Sequence, residues 1–252
     1  MSEGNTGDPA GPTDGQNPTD NVGFGEVLQD LRAGGCNLLV VGDAPRRLFT
    51  EASASLLGGP DERRYRLLAI TDASPGSVAE RLPDPTEMPG SYEETTEIIN
   101  HASPPRSVAE AGGNADSPSL GDLSERRVVD PQLAGLQAEL AEAMATFDAH
   151  ASGLDSTELR VGVDSLDALL EHYDEGVVRR CLQVVTGYVG DYAAMGHYVL
   201  TEPYESERVR SLAGEFDAVV ELRPVDPAKH DHHAEERWHV SDPDVTSDWL
   251  PM

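Results

Sequence analysis

Glu158 to Glu171 reads ELRVGVDSLDALLE. Its first part is a short, largely apolar run, which predicts a strand over Glu158–Val163. Asp164 and Ser165 close that run, and the residues after them predict a helix through about Tyr173. A short oxygen-bearing side chain at such a junction satisfies a free N–H of the first helical turn, so Asp164 or Ser165 is read as the cap.

The same grammar repeats upstream. Asn37–Val41 (NLLVV) is a continuous apolar run bounded by glycine, the pattern of a buried parallel strand. A turn at Gly42-Asp43 leads into a helix through about Leu57, with Asp43 as N-cap and Pro45 in the first turn, until Gly58-Gly59-Pro60 stops it. Arg66–Thr71 (RLLAIT) then predicts a second strand, and crossover sterics make the pair parallel. Ahead of this unit, Phe24, Val27, Leu28 and Leu31 form one stripe of a short helix ended by Gly34-Gly35.

Downstream, Leu133, Leu136, Leu140, Met144 and Phe147 describe an amphipathic helix ending near His150. Gly176–Asp191 reads as a buried helix, Met195–Leu200 as a strand, Glu205–Ala213 as a helix and Ala218–Leu222 as a further strand. Arg237–Val240 and Thr246–Leu250 are expected to form an antiparallel edge. Strands alternating with helices imply a three-layer α/β fold with a mostly parallel sheet. Residues 1–21 are a polar, acidic stretch that cannot bury enough apolar surface to order itself, so they are read as a disordered tail. The remainder, 22–252, reads as one α/β domain interrupted by a proline-rich, loop-like insertion at about 72–130, in which only Thr95–Ala102 suggests a strand.

Eighteen basic residues face 46 acidic ones, a formal charge of −28, and Lys229 is the only lysine. Acidic side chains hold water at a surface, and their mutual repulsion is screened when the Debye length falls to about 3 Å in molar salt. The composition therefore points to the cytoplasm of an extreme halophile. Met1–Asp20 lacks the basic and apolar regions of a signal peptide, and no apolar run approaches membrane-spanning length, so no membrane association is expected. Cys36 and Cys181 match no zinc or disulfide pattern and read as two buried thiols.

The order of these elements, the acidic strand ending at Asp164-Ser165 and the segment Phe216–Leu222 (FDAVVEL) together resemble the RecA-like ATPase core, particularly its archaeal recombinase and KaiC branch. The chain also resembles a group of halophilic archaeal proteins with a degenerate version of that fold. The resemblance covers roughly two thirds of the chain, best over Glu158–Arg223. It implies that Gly42–Phe49 (GDAPRRLF) stands in place of a phosphate-binding loop and that Asp164 stands where such proteins organise magnesium. A working loop needs glycines to expose its N–H groups, a lysine on the phosphates and Ser or Thr on the metal. Here Arg47 occupies the second glycine position, Leu48 the lysine position and Phe49 the hydroxyl position. At the strand matching Arg66–Thr71, where the KaiC branch continues into catalytic acids, only Asp72 is available.

Two functional readings follow. The first is a non-catalytic RecA-like module with no cofactor, serving as a regulatory or protein-interaction scaffold. The second is an atypical nucleotide binder or slow ATPase that takes ATP and magnesium through an arginine-modified loop. The relic site would comprise Gly42, Asp43, Arg46, Arg47, Asp164 and Ser165, with no catalytic residue assigned. Arg46 and Arg47 sit in the first turn of a helix, where the dipole disfavours cations, so an anion is expected nearby: Asp43, Asp72 or Asp164, or an external phosphate. His230, His232 and His233 lie among Asp231, Glu235 and Glu236, with His239 just beyond; the surrounding prolines favour a solvated connection, and no metal is assigned. The expected partner is another protein, with self-assembly implied by the rings and filaments of RecA relatives. Nucleic acid is disfavoured because no basic stripe exists, and no Gly-x-Ser-x-Gly elbow suggests a hydrolase. The halophilic reading predicts that the unfolding midpoint rises as potassium chloride is raised to molar concentration; greatest stability in dilute buffer would contradict it.

Overall fold

The computed structural model describes residues 18–61, 63–71, 76–101, 123–128, 132–241 and 244–252. In chain order these form α1 (Pro18–Gly34), β1 (Cys36–Val41), α2 (Arg46–Leu57), β2 (Tyr65–Ile70), α3 (Gly76–Ala79), α4 (Tyr92–Thr95), β3 (Thr96–Asn100) and β4 (Ser124–Arg127). Then come α5 (Leu133–Ala151), β5 (Leu159–Asp164), α6 (Leu166–His172), α7 (Glu175–Asp191), β6 (Met195–Val199) and α8 (Glu207–Leu212). β7 (Ala218–Pro224), β8 (Ala234–Val240), β9 (Val245–Thr246) and β10 (Leu250–Pro251) complete the chain.

One sheet carries the fold, in the order β10-β8-β7-β1-β6-β5-β2-β3-β4, with β9 also on β8. From β7 to β4 every pairing is parallel, whereas β8 runs antiparallel to β7, β9 and β10. β1 and β2 are buried along their whole length, as strands covered on both faces must be. Alternate residues divide between two layers. Leu39 and Val41 join the core under α5, α6, α7 and α8, while Leu38 and Val40 face the opposite side with Phe24 of α1 and Phe49 of α2. The stripe read in α1 packs as expected, with Val27, Leu28 and Leu31 against that second core. Cys36 and Cys181 are buried and form no disulfide.

Three expectations need correction. The helix α1 begins at Pro18, inside the stretch assigned to the tail; residues 1–17 lie outside the described ones. Within 72–130 the described residues contribute two strands rather than one, and they extend the parallel sheet beyond β2. β4 escapes sequence pattern because its residues, SERR, are those of a charged edge. Arg126 reaches Glu97 at 2.6 Å, Glu142 at 2.7 Å and Glu139 at 3.3 Å, tying the edge to α5 while discouraging pairing with another chain. Asp43, finally, does not cap α2. The cap position is Pro45, in an extended conformation with no side-chain bond, and Asp43 is exposed two residues upstream.

The far end of α2 is closed by a buried cation. Arg66 of β2 donates through Nη2 to the carbonyls of Gly58 and Gly59, both at 2.9 Å, where the helix dipole is negative. Burial pulls its pKa down to about 10, so the guanidinium stays charged at neutral pH. The helix is thus fixed at its C-terminal end by β2 and at its N-terminal end by the residues described next.

Candidate functional site

β1, β2, β5 and β6 all end at one edge of the sheet. In register, Ile70 lies beside Asp164 and Val163 beside Tyr198, so the loops after these strands meet above them. Such a carboxyl edge is where open α/β sheets usually place ligands. The loops here are laced together by backbone bonds. Gly42 donates to the Glu202 carbonyl at 2.8 Å, Leu200 to Val40 at 2.9 Å and Thr71 to Asp164 at 2.8 Å. The Thr71 hydroxyl donates to the Ser165 carbonyl at 2.5 Å, and Asp167 accepts from Thr201 at both its N–H and its hydroxyl.

Gly42 has a steric reason to be glycine. A Cβ there would stand 2.3 Å from the Leu222 carbonyl oxygen on β7, a contact that only backbone movement could relieve. The glycine at this position is therefore explained by packing against the neighbouring strand, with no phosphate required.

Asp164 is 1% exposed and carries a carboxylate at the end of β5. Arg46 donates through Nη2 to its Oδ1 at 2.5 Å, and the Arg81 guanidinium pairs with its Oδ2. Arg81 is fully enclosed, while the Arg46 side chain is 35% exposed, so the triad is sealed below and open to solvent above. A buried carboxylate is tolerated only when paired, and here each oxygen has its own cation. The capping expectation for Asp164 is overturned by this pairing. Ser165 occupies the cap position of α6 but makes no side-chain cap bond.

The other members of the expected site separate. Arg47 points away, 70% exposed, and pairs with Glu51 one turn on at 2.7 Å. Glu51 also bonds His233 at 2.8 Å, which anchors α2 to the connection between β7 and β8. Asp43 is exposed, and Asp72 lies outside the described residues. Leu48 and Phe49, at the expected lysine and hydroxyl positions, are 4% and 0% exposed, with Phe49 in the core beneath α2.

Below the triad lies His197 of β6, fully buried, with Nε2 2.7 Å from the Ser53 hydroxyl of α2. Gly162 leaves it room: a Cβ there would stand 2.7 Å from the His197 ring and 2.8 Å from Leu68. Burial, followed by the charges of Arg81 and Arg160, drives the His197 pKa down to about 3, so the ring is neutral. Arg81 and His197 both escape a reading of the sequence. Arg81 sits in the loop-like insertion with Val78 and Leu82 as apolar neighbours in sequence, and His197 interrupts an apolar strand with no partner near it in sequence.

A cleft of about 800 Å³ lies elsewhere, between α2, β8 and the C-terminal Pro251 and Met252. Arg160 and Met195 floor it at the opposite ends of β5 and β6 from Asp164. None of the expected site residues lines it, so it does not complete the site at the carboxyl edge.

A family model matches residues 35–222, from the residue before β1 into β7. The chain belongs to a family of unknown function, DUF7504. The span that defines DUF7504 here contains Gly42, Arg46, Arg81, Asp164 and His197, and ends before the connection between β7 and β8. No curated protein matches the chain.

The buried neutral imidazole sets a pH response. The unfolded chain takes up a proton on His197 near pH 6.5 and the folded chain does not until about pH 3, so its contribution is intact above 6.5 and lost between those values. Stability should fall by about 1.4 kcal/mol per pH unit from this group below pH 6.5. His197→Gln should flatten the pH 6.5 to 5 segment of a denaturant-midpoint profile; an unchanged slope would show that the ring is protonated in the fold.

Proposed function

We propose that this chain is a RecA-like module without nucleotide hydrolysis, kept as a regulatory or protein-interaction scaffold. The observation that carries the reading is the occupation of Asp164. Its two oxygens face Arg46 and Arg81, so organising magnesium would require breaking a buried ion pair. Leu48 and Phe49 support the same reading, because side chains packed into the core supply neither phosphate contact nor metal ligand.

The kinship itself is supported by geometry that a chance α/β fold need not share. The turn after β1 and the acid ending β5 come from distant parts of the chain, yet Arg46 at the start of α2 touches Asp164 directly. A cation has taken over the space between strand-end acid and helix start. No helix among the described residues is long and apolar enough to cross a membrane. Val184 is the single large hydrophobic side chain exposed among them, so a protein partner would be recognised through polar and charged contacts. The acid surplus supports a salt-rich cytosol as the setting of that recognition.

The nucleotide-binding alternative rests on one observation, the 35% exposure of the Arg46 side chain at the carboxyl edge. Equilibrium binding of labelled ATP with magnesium in molar potassium chloride separates the two. The scaffold reading predicts no saturable binding. Saturable binding abolished by Arg46→Ala would replace it with the alternative.

A further inference from the structure

The connection between β7 and β8 brings His230, His232 and Glu235 together with their ligand atoms all within 4.8 Å of one another. His232 Nε2 stands 3.1 Å from Glu235 Oε1, and His230 Nδ1 stands 3.9 Å from the same oxygen. A tetrahedral zinc-type ion with bonds of about 2.0–2.1 Å holds adjacent ligand atoms about 3.4 Å apart, so these two separations bracket the required edge. We propose that His230 Nδ1, His232 Nε2 and Glu235 Oε1 form a binding site for a divalent ion of the zinc class.

The groups behind the ligands are those that such a site needs. Asp231 Oδ1 lies 2.9 Å from His232 Nδ1, which fixes the ring and turns Nε2 toward Glu235; metal-bound histidines are commonly oriented by a carboxylate in this manner. Arg223 holds the other oxygen of Glu235 through Nε at 2.8 Å and Nη2 at 2.6 Å, leaving Oε1 to face the imidazoles. Arg223 is itself stacked on Trp249 at 3.8 Å and lies directly across the β7–β8 ladder from Glu235. Glu235 is therefore set on a strand by a rigid neighbour. The neighbouring histidines are otherwise engaged: His233 with Glu51 at 2.8 Å and His239 with Glu221 at 3.1 Å.

Two imidazole nitrogens and one carboxylate select against magnesium and calcium, which prefer all-oxygen shells. The side chains grade outward from Glu235, 9% exposed, through His232 at 15% to His230 at 40%. An ion held there keeps at least one position toward solvent, open to water or to a donor from another molecule. It would also tie the tip of the connection to the strand below, where His233 already joins it to α2.

The test uses the full chain, stripped of metal and held in molar potassium chloride to suppress non-specific binding to carboxylates. Titration with Co2+, read by its visible d–d absorption, and displacement by Zn2+ should give one ion per chain. His230→Ala and His232→Ala should each weaken binding at least about tenfold, Asp231→Asn by about 10–100-fold, and His150→Ala not at all. Excess magnesium should leave the cobalt spectrum unchanged. Far-UV circular dichroism of each variant confirms that the exposed connection can be altered without unfolding. Absence of saturable one-to-one binding overturns the proposal, as does such binding that both His230→Ala and His232→Ala leave intact; the cluster would then be an ion pair between His232 and its two carboxylates.

Discussion

One buried charge organises the carboxyl edge of this protein. Asp164 ends β5 in a setting with almost no access to water, where an isolated carboxylate would be unstable as an anion. Arg46 and Arg81 resolve that problem from opposite sides. Because Arg46 opens α2 and Arg81 follows α3, the carboxylate fastens a helix and a connecting segment to the end of a central strand. Removing one partner of a buried pair typically costs about 3–5 kcal/mol, comparable to a large part of the stability of a whole domain. The edge therefore has little freedom to rearrange around a ligand.

The rest of α2 is fitted to this arrangement. Phe49 enters the core below the helix and Leu48 is buried beside it, each side chain contributing about 1.5–3 kcal/mol by leaving water. Arg66 fixes the other end of the helix through the carbonyls of Gly58 and Gly59, and Ser53 meets His197 midway. A loop that wrapped phosphate would need to expose backbone N–H groups where this chain buries hydrophobic side chains. This core packing supports the proposed scaffold reading alongside the paired state of Asp164.

The legibility of the sequence followed the physics of each element. β1, β2, β5, β6 and β7 are largely apolar, and their runs stand out within a residue or two of their observed ends. β4 is an edge strand whose charged side chains serve ion pairs, so no apolar period marks it. The pairing of Arg46 with Asp164 was one of several alternatives because an anion was expected at the first turn, but nothing local distinguishes Asp164 from Asp43 or Asp72. Arg81 lay beyond reach, since a buried cation in a proline-rich stretch acquires meaning only when the chain folds it under a carboxylate. The histidine cluster shows the reverse case: its residues were visible together, while the alignment of Asp231 and Arg223 behind the ligands depends on the pairing of β7 with β8.

The central claim, that Asp164 is held as an internal ion by Arg81 as well as by Arg46, is tested most directly by a double-mutant cycle. Unfolding free energies would be measured for the wild type, Asp164→Leu, Arg81→Met and the combined variant in molar salt. The account predicts that each single change costs several kcal/mol, because Asp164→Leu leaves Arg81 buried without its carboxylate and Arg81→Met leaves Asp164 with Arg46 as its one cation among the described residues, and that the double variant loses well under the sum. Losses that simply add, within about 0.5 kcal/mol, would mean that the two side chains are not coupled and would contradict it.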